Sequence, residues 1–178
     1  MQTLDVIFLF QWQGLIFSPI ENHEFVMLEH AGTWEPAHVQ ELAKFVRAQD
    51  PSILFQAKTR VDESGLRKIC DELQFDELWV VGRVTKAGGL ALLWKNSIDI
   101  DVDLASLNHI DAIINQGKVD AWRFTGIYGF PEAYRKPKTW ELLRGLNQKF
   151  CLPWICFRDF NEILRGHEKL RGAPRRES

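Results

Sequence analysis

Apolar residues recur at the spacing of an α-helix in three stretches of the chain. The first stretch begins at Pro36, a residue suited to the first helical position, and Asp50-Pro51 ends it. The second follows Asp62, whose side chain can cap a helix, and the third begins at Thr139. The apolar stripes of these predicted helices are Val39, Leu42, Ala43 and Val46; Leu66, Ile69, Cys70 and Leu73; and Trp140, Leu143, Leu146 and Phe150.

Elsewhere the apolar residues alternate with polar ones or form short continuous runs, which predicts strands. Residues 98–104 alternate strictly, as in a strand that is buried on one face. Further strands are predicted at 52–56, 78–81, 90–94, 109–114, 122–128 and 153–157, and near 5–10 and 25–29. Two helix–strand units around a hairpin-rich middle predict an α/β fold with a mixed or antiparallel sheet.

The composition is that of one soluble domain: 178 residues, of which 46% are hydrophobic and 26% charged. The formal net charge of −2 gives no overall attraction to nucleic acid or to a membrane. If the protein binds a phosphate backbone, a local basic patch must provide the attraction. The final stretch, 165–178, is rich in basic residues. Its Arg175 and Arg176 are candidate nucleic-acid contacts, although a charged tail is usually only solvated.

The three cysteines show neither CxxC spacing nor a histidine partner, which argues against a disulfide scaffold or a zinc site. The apolar run at 6–17 is interrupted by Gln11, Gln13 and Gly14 and is too short to cross a bilayer. The sequence therefore predicts a soluble intracellular protein with no membrane partner and no small-molecule cofactor.

The segment Trp154-Ile-Cys-Phe-Arg-Asp-Phe-Asn-Glu162 carries the most suggestive chemistry. Its apolar strand is predicted to deliver Asp159, Asn161 and Glu162 to the loop beyond its C-terminal end, the usual place for a site in an α/β sheet. Oxygen-bearing side chains suit Mg²⁺, and an asparagine there can hold a phosphate oxygen. Taken alone, the segment fits better a loop in which Asp or Asn caps a short helix.

Other residues have two readings each. Tyr128 ends a strand, where its hydroxyl can donate to a phosphate or its ring can equally plug the top of the core. His109 can act as a general base, but a lone histidine among apolar strand residues is more often packed and hydrogen-bonded. Asp99, Asp101 and Asp103 suggest a cation site, yet a solvated strand face is commoner, and Gly88-Gly89 favours a turn.

Seven motifs in register resemble those of a known family. They are Pro51-Ser-Ile-Leu-Phe55; Thr59 with Asp62; Gly88-Gly-Leu-Ala-Leu-Leu-Trp-Lys95; Asn108-His-Ile-Asp111; Trp122-Arg-Phe-Thr-Gly-Ile-Tyr-Gly-Phe-Pro131; Trp140-Glu-Leu-Leu-Arg144; and Leu152-Pro-Trp-Ile-Cys156 with Asp159-Phe-Asn-Glu162. In this order they resemble the endonuclease domain of plant LINE-type retrotransposons. That domain belongs to the endonuclease/exonuclease/phosphatase family, with the apurinic endonucleases and deoxyribonuclease I.

The resemblance, which runs from about Gly32 to Pro174, implies a four-layer sandwich of two mixed β-sheets flanked by helices. It also implies DNA as partner, Mg²⁺ as cofactor, and hydrolysis of a phosphodiester to give a nick that primes reverse transcription. By motif, Tyr128 is the phosphate-contacting tyrosine, and Asp159 and Asn161 are the aspartate that handles the nucleophile and its partner asparagine. Residues 32–178 are thus assigned to the domain, and residues 1–31 to a divergent segment of uncertain structure.

The departures from the family pattern concern the residues that perform the chemistry. Lys58 stands at the position of the family's metal-binding glutamate, and Glu29 at the position of its early asparagine. Arg158 and Arg171 replace glycines. The chain also ends before the family's closing strands and the Asp-His pair that supplies the general base.

These departures predict a C-terminally truncated, catalytically inactive remnant of a Mg²⁺-dependent DNA endonuclease. One alternative is a non-catalytic module in which Tyr128, Asn161 and the basic tail hold nucleic acid. Another is an active phosphoesterase that recruits its missing parts from a second chain.

Overall fold

The structure is a computed structural model that describes residues 6–10, 16–20, 23–29, 36–82, 89–129, 133–149 and 151–159. It contains three α-helices and ten β-strands within these ranges. The helices are α1 (Pro36–Gln49), α2 (Glu63–Glu72) and α3 (Lys136–Asn147). The strands are β1 (Val6–Phe10), β2 (Ile16–Ile20), β3 (His23–Glu29), β4 (Ile53–Ala57), β5 (Glu77–Val81), β6 (Leu90–Trp94), β7 (Ile100–Ser106), β8 (His109–Ile114), β9 (Trp122–Tyr128) and β10 (Trp154–Asp159).

The strands form two mixed sheets of five strands each. Sheet A has the order β1-β10-β9-β8-β7, in which β1, β10 and β9 are parallel and the remaining pairs are antiparallel. Sheet B has the order β2-β3-β4-β6-β5, in which only β3 and β4 are parallel. The predicted mixed α/β architecture is therefore confirmed.

The two sheets pack face to face through alternate residues of their central strands. Ile53, Phe55 and Ala57 of β4 face Ile110 and Ala112 of β8 in one buried cluster. Residues 122 and 124 of β9 and residues 155 and 157 of β10 complete this inter-sheet core. Because successive strand residues point to opposite faces, the residues between them are left to pack against helices.

The helices cover the outer faces of the sheets. In α1 and α2 the predicted apolar stripes pack on Leu54, Ala91 and Leu93 of sheet B. Asp62 caps α2 as predicted, accepting a hydrogen bond from the Gly65 amide at 2.9 Å. Leu143 and Leu146 of α3 pack on the outer face of sheet A. The result is the four-layer order helix, sheet, sheet, helix.

Several predicted boundaries and one burial pattern are corrected. Helix α3 begins at Lys136, three residues before Thr139, because Pro137 at its second position is compatible with a first turn. The strand predicted at 98–104 lies at Ile100–Ser106. Its half-buried pattern is confirmed for Ile98, Ile100 and Val102, which pack against the inter-sheet core, whereas Leu104 is exposed after the irregularity between Val102 and Leu104.

The N-terminal strands also take part in the two sheets. The strands predicted near 5–10 and 25–29 are confirmed as β1 and β3, and β2 between them has no counterpart in the sequence prediction. Strand β1 pairs in parallel with β10, and β3 pairs in parallel with β4. These pairings place the end of β1 beside the end of β10 and the end of β3 beside the end of β4.

Candidate functional site

The carboxyl ends of parallel strands bring most of the predicted site positions to one edge of the sandwich. In sheet B, Glu29 at the end of β3 is in register with Ala57 at the end of β4, and Lys58 follows directly. In sheet A, Tyr128 at the end of β9 is in register with Asp159 at the end of β10. Asp159 is thus the last residue of a strand, not part of the following loop as predicted.

Lys58 and Tyr128 join the two sheets at this edge. The Lys58 Nζ lies 5.4 Å from the centroid of the Tyr128 ring, within the range of a cation–π interaction. Both side chains are half-buried, and the Tyr128 ring packs against the inter-sheet core. The structure therefore brings the positions of Lys58, Tyr128, Glu29 and Asp159 together, the last two by their backbone.

The remaining site predictions fall outside the described residues. Asn161 and the basic Arg175 and Arg176 belong to this group, as does Arg171. The side chains of Glu29, Arg158 and Asp159 are likewise outside the described part of the structure. The roles assigned to these residues stay predictions.

The backbone after β4 has an unusual conformation. Lys58 and Arg60 have φ angles of 58° and 54°, in the left-handed region that residues with a Cβ seldom adopt. Thr59 between them is 1% exposed, and its amide donates to the Gly89 carbonyl at 3.2 Å. This contact fixes the segment 58–60 to the start of β6.

Gly89 explains part of the predicted glycine pair. Its φ is 89°, and a Cβ at this position would lie 2.3 Å from the Thr59 Oγ1. The glycine is therefore required by a close approach to Thr59, whereas the sequence favoured a simple turn; Gly88 lies outside the described residues. Gly89 affects the candidate site only indirectly, because its contact with Thr59 fixes the position of the neighbouring Lys58 backbone.

Asn108 holds the end of β9 and was missed as a site residue by sequence reasoning. Its Nδ2 donates to the Tyr128 carbonyl at 3.1 Å, and the Tyr128 amide donates to the Asn108 carbonyl at 2.8 Å. These two bonds fix the Tyr128 backbone to the turn between β7 and β8. In the sequence, Asn108 stood out only as part of the motif Asn108-His-Ile-Asp111, which resembles a family motif. The motif gave no indication that Asn108 contacts Tyr128.

A buried ion pair supports the outer face of sheet A. Arg123 is 1% exposed and Asp111 0%, and the guanidinium donates to the carboxylate from Nε at 2.9 Å and from Nη2 at 2.7 Å. The Arg123 Nη1 donates to the Leu146 carbonyl of α3 at 2.6 Å, and Thr125 Oγ1 also donates to Asp111. The Trp154 indole completes the group by donating to Thr125 at 2.8 Å. Strands β8, β9 and β10 are thereby tied to one another and to α3.

His109 lies in the core in the packed and hydrogen-bonded state that the sequence favoured. Its Nδ1 is 2.6 Å from the Ser106 Oγ, and it shares the outer face of sheet A with Asp111. Tyr128 packs on the opposite, inner face. Burial lowers the pKa of the imidazole from its ordinary value of 6.5, and the nearby Asp111 only partly offsets this. A general-base role at the Tyr128 edge is therefore not supported.

Asp99, just before β7, and Asp101 and Asp103 in β7 are exposed, and two of these three aspartates lie near lysines. Asp103 lies 3.2 Å from the Lys149 Nζ, and Asp99 lies 3.9 Å from the Lys118 Nζ. Alternation along the strand leaves residues 101 and 103 exposed. This agrees with the solvated face that the sequence favoured over a cation site.

Among the described side chains at this edge of the sandwich, the Lys58 ammonium is unsuited to hold a Mg²⁺ ion. No group of three or more His, Cys, Asp or Glu side chains suited to a metal is found in the described part of the chain. An ammonium group has no lone pair to donate, and the Lys58 Nζ brings a positive charge to this edge. At about 4 Å and an effective dielectric of about 20, two unit positive charges repel by about 4 kcal/mol, and a divalent ion would be repelled about twice as strongly.

Comparison with known proteins gives structural neighbours only. No protein-family model matches the sequence, and no curated protein matches it significantly. In the described part of the chain, no helix is long and apolar enough to cross a membrane.

Three solved structures are similar to the chain at low sequence identity. The catalytic domain of human Nocturnin with a bound sulfate anion matches 72% of this chain and 58% of its own, with 11% identity and a TM-score of 0.56. The endonuclease domain of TRAS1, a telomere-specific non-LTR retrotransposon, matches 76% and 57%, with 11% identity and a TM-score of 0.53. D. rerio TDP2 complexed with a single-strand DNA product matches 78% and 60%, with 8% identity and a TM-score of 0.54.

The chain spans about three fifths of the length of each of these proteins. At such identities the similarity concerns the fold. The arrangement of two mixed sheets with helices on both outer faces is the deoxyribonuclease I-like fold of endonuclease/exonuclease/phosphatase proteins.

Proposed function

We propose that the chain derives from the DNA endonuclease domain of a plant LINE-type retrotransposon and that it does not hydrolyse phosphodiesters. The observation that carries the absence of hydrolysis is the position of the Lys58 ammonium, 5.4 Å from the centroid of the Tyr128 ring at the carboxyl ends of β4 and β9. The fold shared with the TRAS1 endonuclease domain supports the nuclease ancestry. The seven motifs in register support the more specific retrotransposon origin.

The absence of hydrolysis follows from charge at the site. In this family a divalent cation neutralises the charge that develops on the phosphate, and a carboxylate at position 58 helps to hold it. Lys58 supplies a fixed positive charge instead and repels a second cation. Loss of one group that stabilises the transition-state charge lowers a rate by on the order of 10²–10³-fold. Glu29 and Arg158 depart from the family pattern as well.

A second candidate function is a non-catalytic nucleic-acid-binding module. It is favoured by the two basic residues, Lys58 and Arg60, that flank the buried Thr59 at the same edge. The Nocturnin structure holds a sulfate anion and the TDP2 structure a single-strand DNA product, and both proteins have the fold of this chain. Binding without cleavage is compatible with the first proposal and extends it.

Relaxation of supercoiled plasmid tests the absence of hydrolysis. We expect the chain to relax no more plasmid with Mg²⁺ than with chelator, and Asp159→Ala to behave identically, because no metal-dependent step remains to be lost. An active deoxyribonuclease serves as the control for substrate and conditions. Chelator-sensitive relaxation by the unmodified chain that disappears in Asp159→Ala would overturn the proposal.

A further inference from the structure

We infer that β5 (Glu77–Val81) is a self-association surface, at which two copies of this chain pair their β5 strands antiparallel about a two-fold axis. Strand β5 is the last strand of sheet B, and within the described residues no strand pairs with its outer edge. The backbone N–H and C=O groups along such an edge are a template for a further strand. A second copy of the chain offers the same template in return.

The backbone of β5 lacks the features that hinder pairing in two other edge strands. The edge strands are β1 and β7 in sheet A, and β2 and β5 in sheet B. Strand β2 contains Pro19, which has no N–H to donate, and β7 has an irregular register between Val102 and Leu104. Strand β5 has no proline, and its register with β6 is unbroken from Glu77 to Val81. It therefore keeps the regular edge that a further strand requires.

The side chains of β5 leave apolar surface uncovered on both faces of the sheet. Trp79, the middle residue, is 43% exposed although it lies opposite Leu92 of the inter-sheet core. Tryptophan is enriched at the centres of protein interfaces. Leu78 and Val80 point to the other face and are only half-buried against the residues that α1 and α2 cover. A neighbouring strand would therefore bury apolar surface on both faces.

Two-fold pairing centred on Trp79 matches the side chains of the two copies. Trp79 then lies opposite Trp79 of the second copy, and cross-strand aromatic pairs are favourable. Leu78 of each copy lies opposite Val80 of the other, which is an apolar pair. Glu77 lies opposite Val81, whereas parallel pairing in register would set Glu77 beside Glu77, and like charges there are destabilising. The sequence of β5 is thus self-complementary in the antiparallel orientation.

The symmetry of this contact limits the assembly to two copies. Each copy uses the same β5 edge, so both edges are covered once the pair has formed. Each copy contributes one short strand, so the interface is small and the association is expected to be reversible. Strand β5 contains none of the predicted site residues, and the inference is therefore independent of the proposed function.

Sedimentation equilibrium over a wide series of protein concentrations tests the inference. We expect the unmodified chain to convert reversibly from monomer to dimer as its concentration rises. Trp79→Lys and Trp79→Glu should each weaken dimerisation about tenfold or more, because like charges would then lie opposite each other at the two-fold axis. An equimolar mixture of the two variants should form a dimer again, because lysine then lies opposite glutamate.

Leu104→Lys is the matched control for these substitutions. Leu104 is likewise an apolar residue of an edge strand and is 38% exposed, but it lies in β7 beside the irregularity. We expect Leu104→Lys to dimerise within about twofold of the unmodified chain, because β7 is not part of the paired edge. Dimer formation in the mixture also shows that both Trp79 variants keep their fold, since unfolded chains would not recover a specific partner.

Four results would overturn the inference. They are an unmodified chain that stays monomeric at every concentration, a dimer that survives Trp79→Lys unchanged, a loss of dimer in the two variants that mixing does not restore, and growth beyond the dimer into larger assemblies. The third result would mean that residue 79 does not lie opposite itself, and the fourth that the contact is not closed by a two-fold axis.

Discussion

At the scale of single residues, two basic side chains lie at unexpected positions. One takes the place of an expected carboxylate, and the other lies in a buried, otherwise apolar strand. Lys58 stands among strand ends where a carboxylate was anticipated, and Arg123 lies in an apolar strand between Trp122 and Phe124. The sequence revealed both charges. The sequence indicated what the charge would do only for Lys58, because the family that the sequence resembles has a glutamate at that position.

The partner of Arg123 could not be read from the sequence. Asp111 lies in a different apolar run, and only the antiparallel register of β8 with β9, in which Asp111 is opposite Thr125, brings the two side chains together. A buried cation in an apolar strand requires a buried anion, so the existence of a partner was predictable. Its identity needed the pairing of strands.

The Asp111–Arg123 pair gives a test at this scale. We expect Asp111→Ala to lower the free energy of unfolding by about 3–5 kcal/mol, because it leaves the buried Arg123 guanidinium without its counter-charge. Urea unfolding monitored by tryptophan fluorescence measures the change. Replacing both residues by apolar ones of similar size should recover much of the loss.

Asp103→Ala is the matched control for this substitution. Asp103 also pairs with a basic residue, Lys149, but both side chains are partly exposed. Its loss should cost no more than about 1 kcal/mol. Equal costs for Asp103→Ala and Asp111→Ala would contradict the structural importance of the buried pair.

At the scale of elements, helices and central strands were predicted from periodicity because their burial is regular. The apolar stripes of α1 and α2 are the residues that pack on sheet B. The errors lie where tertiary context overrides the local pattern. Strand β7 alternates as a half-buried strand does, and Ile100 and Val102 pack against the inter-sheet core, but the irregularity between Val102 and Leu104 leaves Leu104 exposed.

Packing between the two sheets depends on a glycine in β9. A Cβ at Gly126 would lie 2.4 Å from two atoms of the Phe55 ring. Gly126→Ala should therefore destabilise the fold by about 1–3 kcal/mol through overpacking. Thermal or urea unfolding measures this, and Phe55→Leu in the same chain should restore part of the stability because it vacates the space.

Gly145 provides a control of opposite sign. It lies in α3, and a Cβ there would meet nothing within 4 Å. Gly145→Ala should stabilise the protein by about 0.5–1 kcal/mol, since alanine favours a helix over glycine. If Gly126→Ala were as harmless as Gly145→Ala, the close approach of β9 to Phe55 would be refuted.

At the scale of the whole molecule, motif order along the sequence predicted the architecture that periodicity alone left open. Local patterns indicated an α/β fold with a mixed or antiparallel sheet, but not that its strands divide into two sheets stacked face to face. That division depends on β1 joining β10 and β3 joining β4, pairings between segments more than twenty residues apart. The same pairings place Glu29, Lys58, Tyr128 and Asp159 at one edge.

Because four predicted site positions share one edge, the positive charge of Lys58 affects the whole candidate site. A protein that binds a ligand only in its native state is stabilised when the ligand exceeds its dissociation constant. Since Lys58 repels a divalent cation, Mg²⁺ should not stabilise this fold. Lys58→Glu replaces the repelling ammonium by a hard oxygen ligand and should create a Mg²⁺-dependent rise in melting temperature.

A Mg²⁺ titration of the melting temperature tests most directly the proposal that Lys58 prevents the binding of Mg²⁺. Calcium and added sodium at equal ionic strength separate specific binding from screening. We expect no saturable shift for the unmodified chain and a saturable Mg²⁺ shift for Lys58→Glu. A saturable Mg²⁺ shift in the unmodified chain that Asp159→Ala abolishes would contradict this proposal.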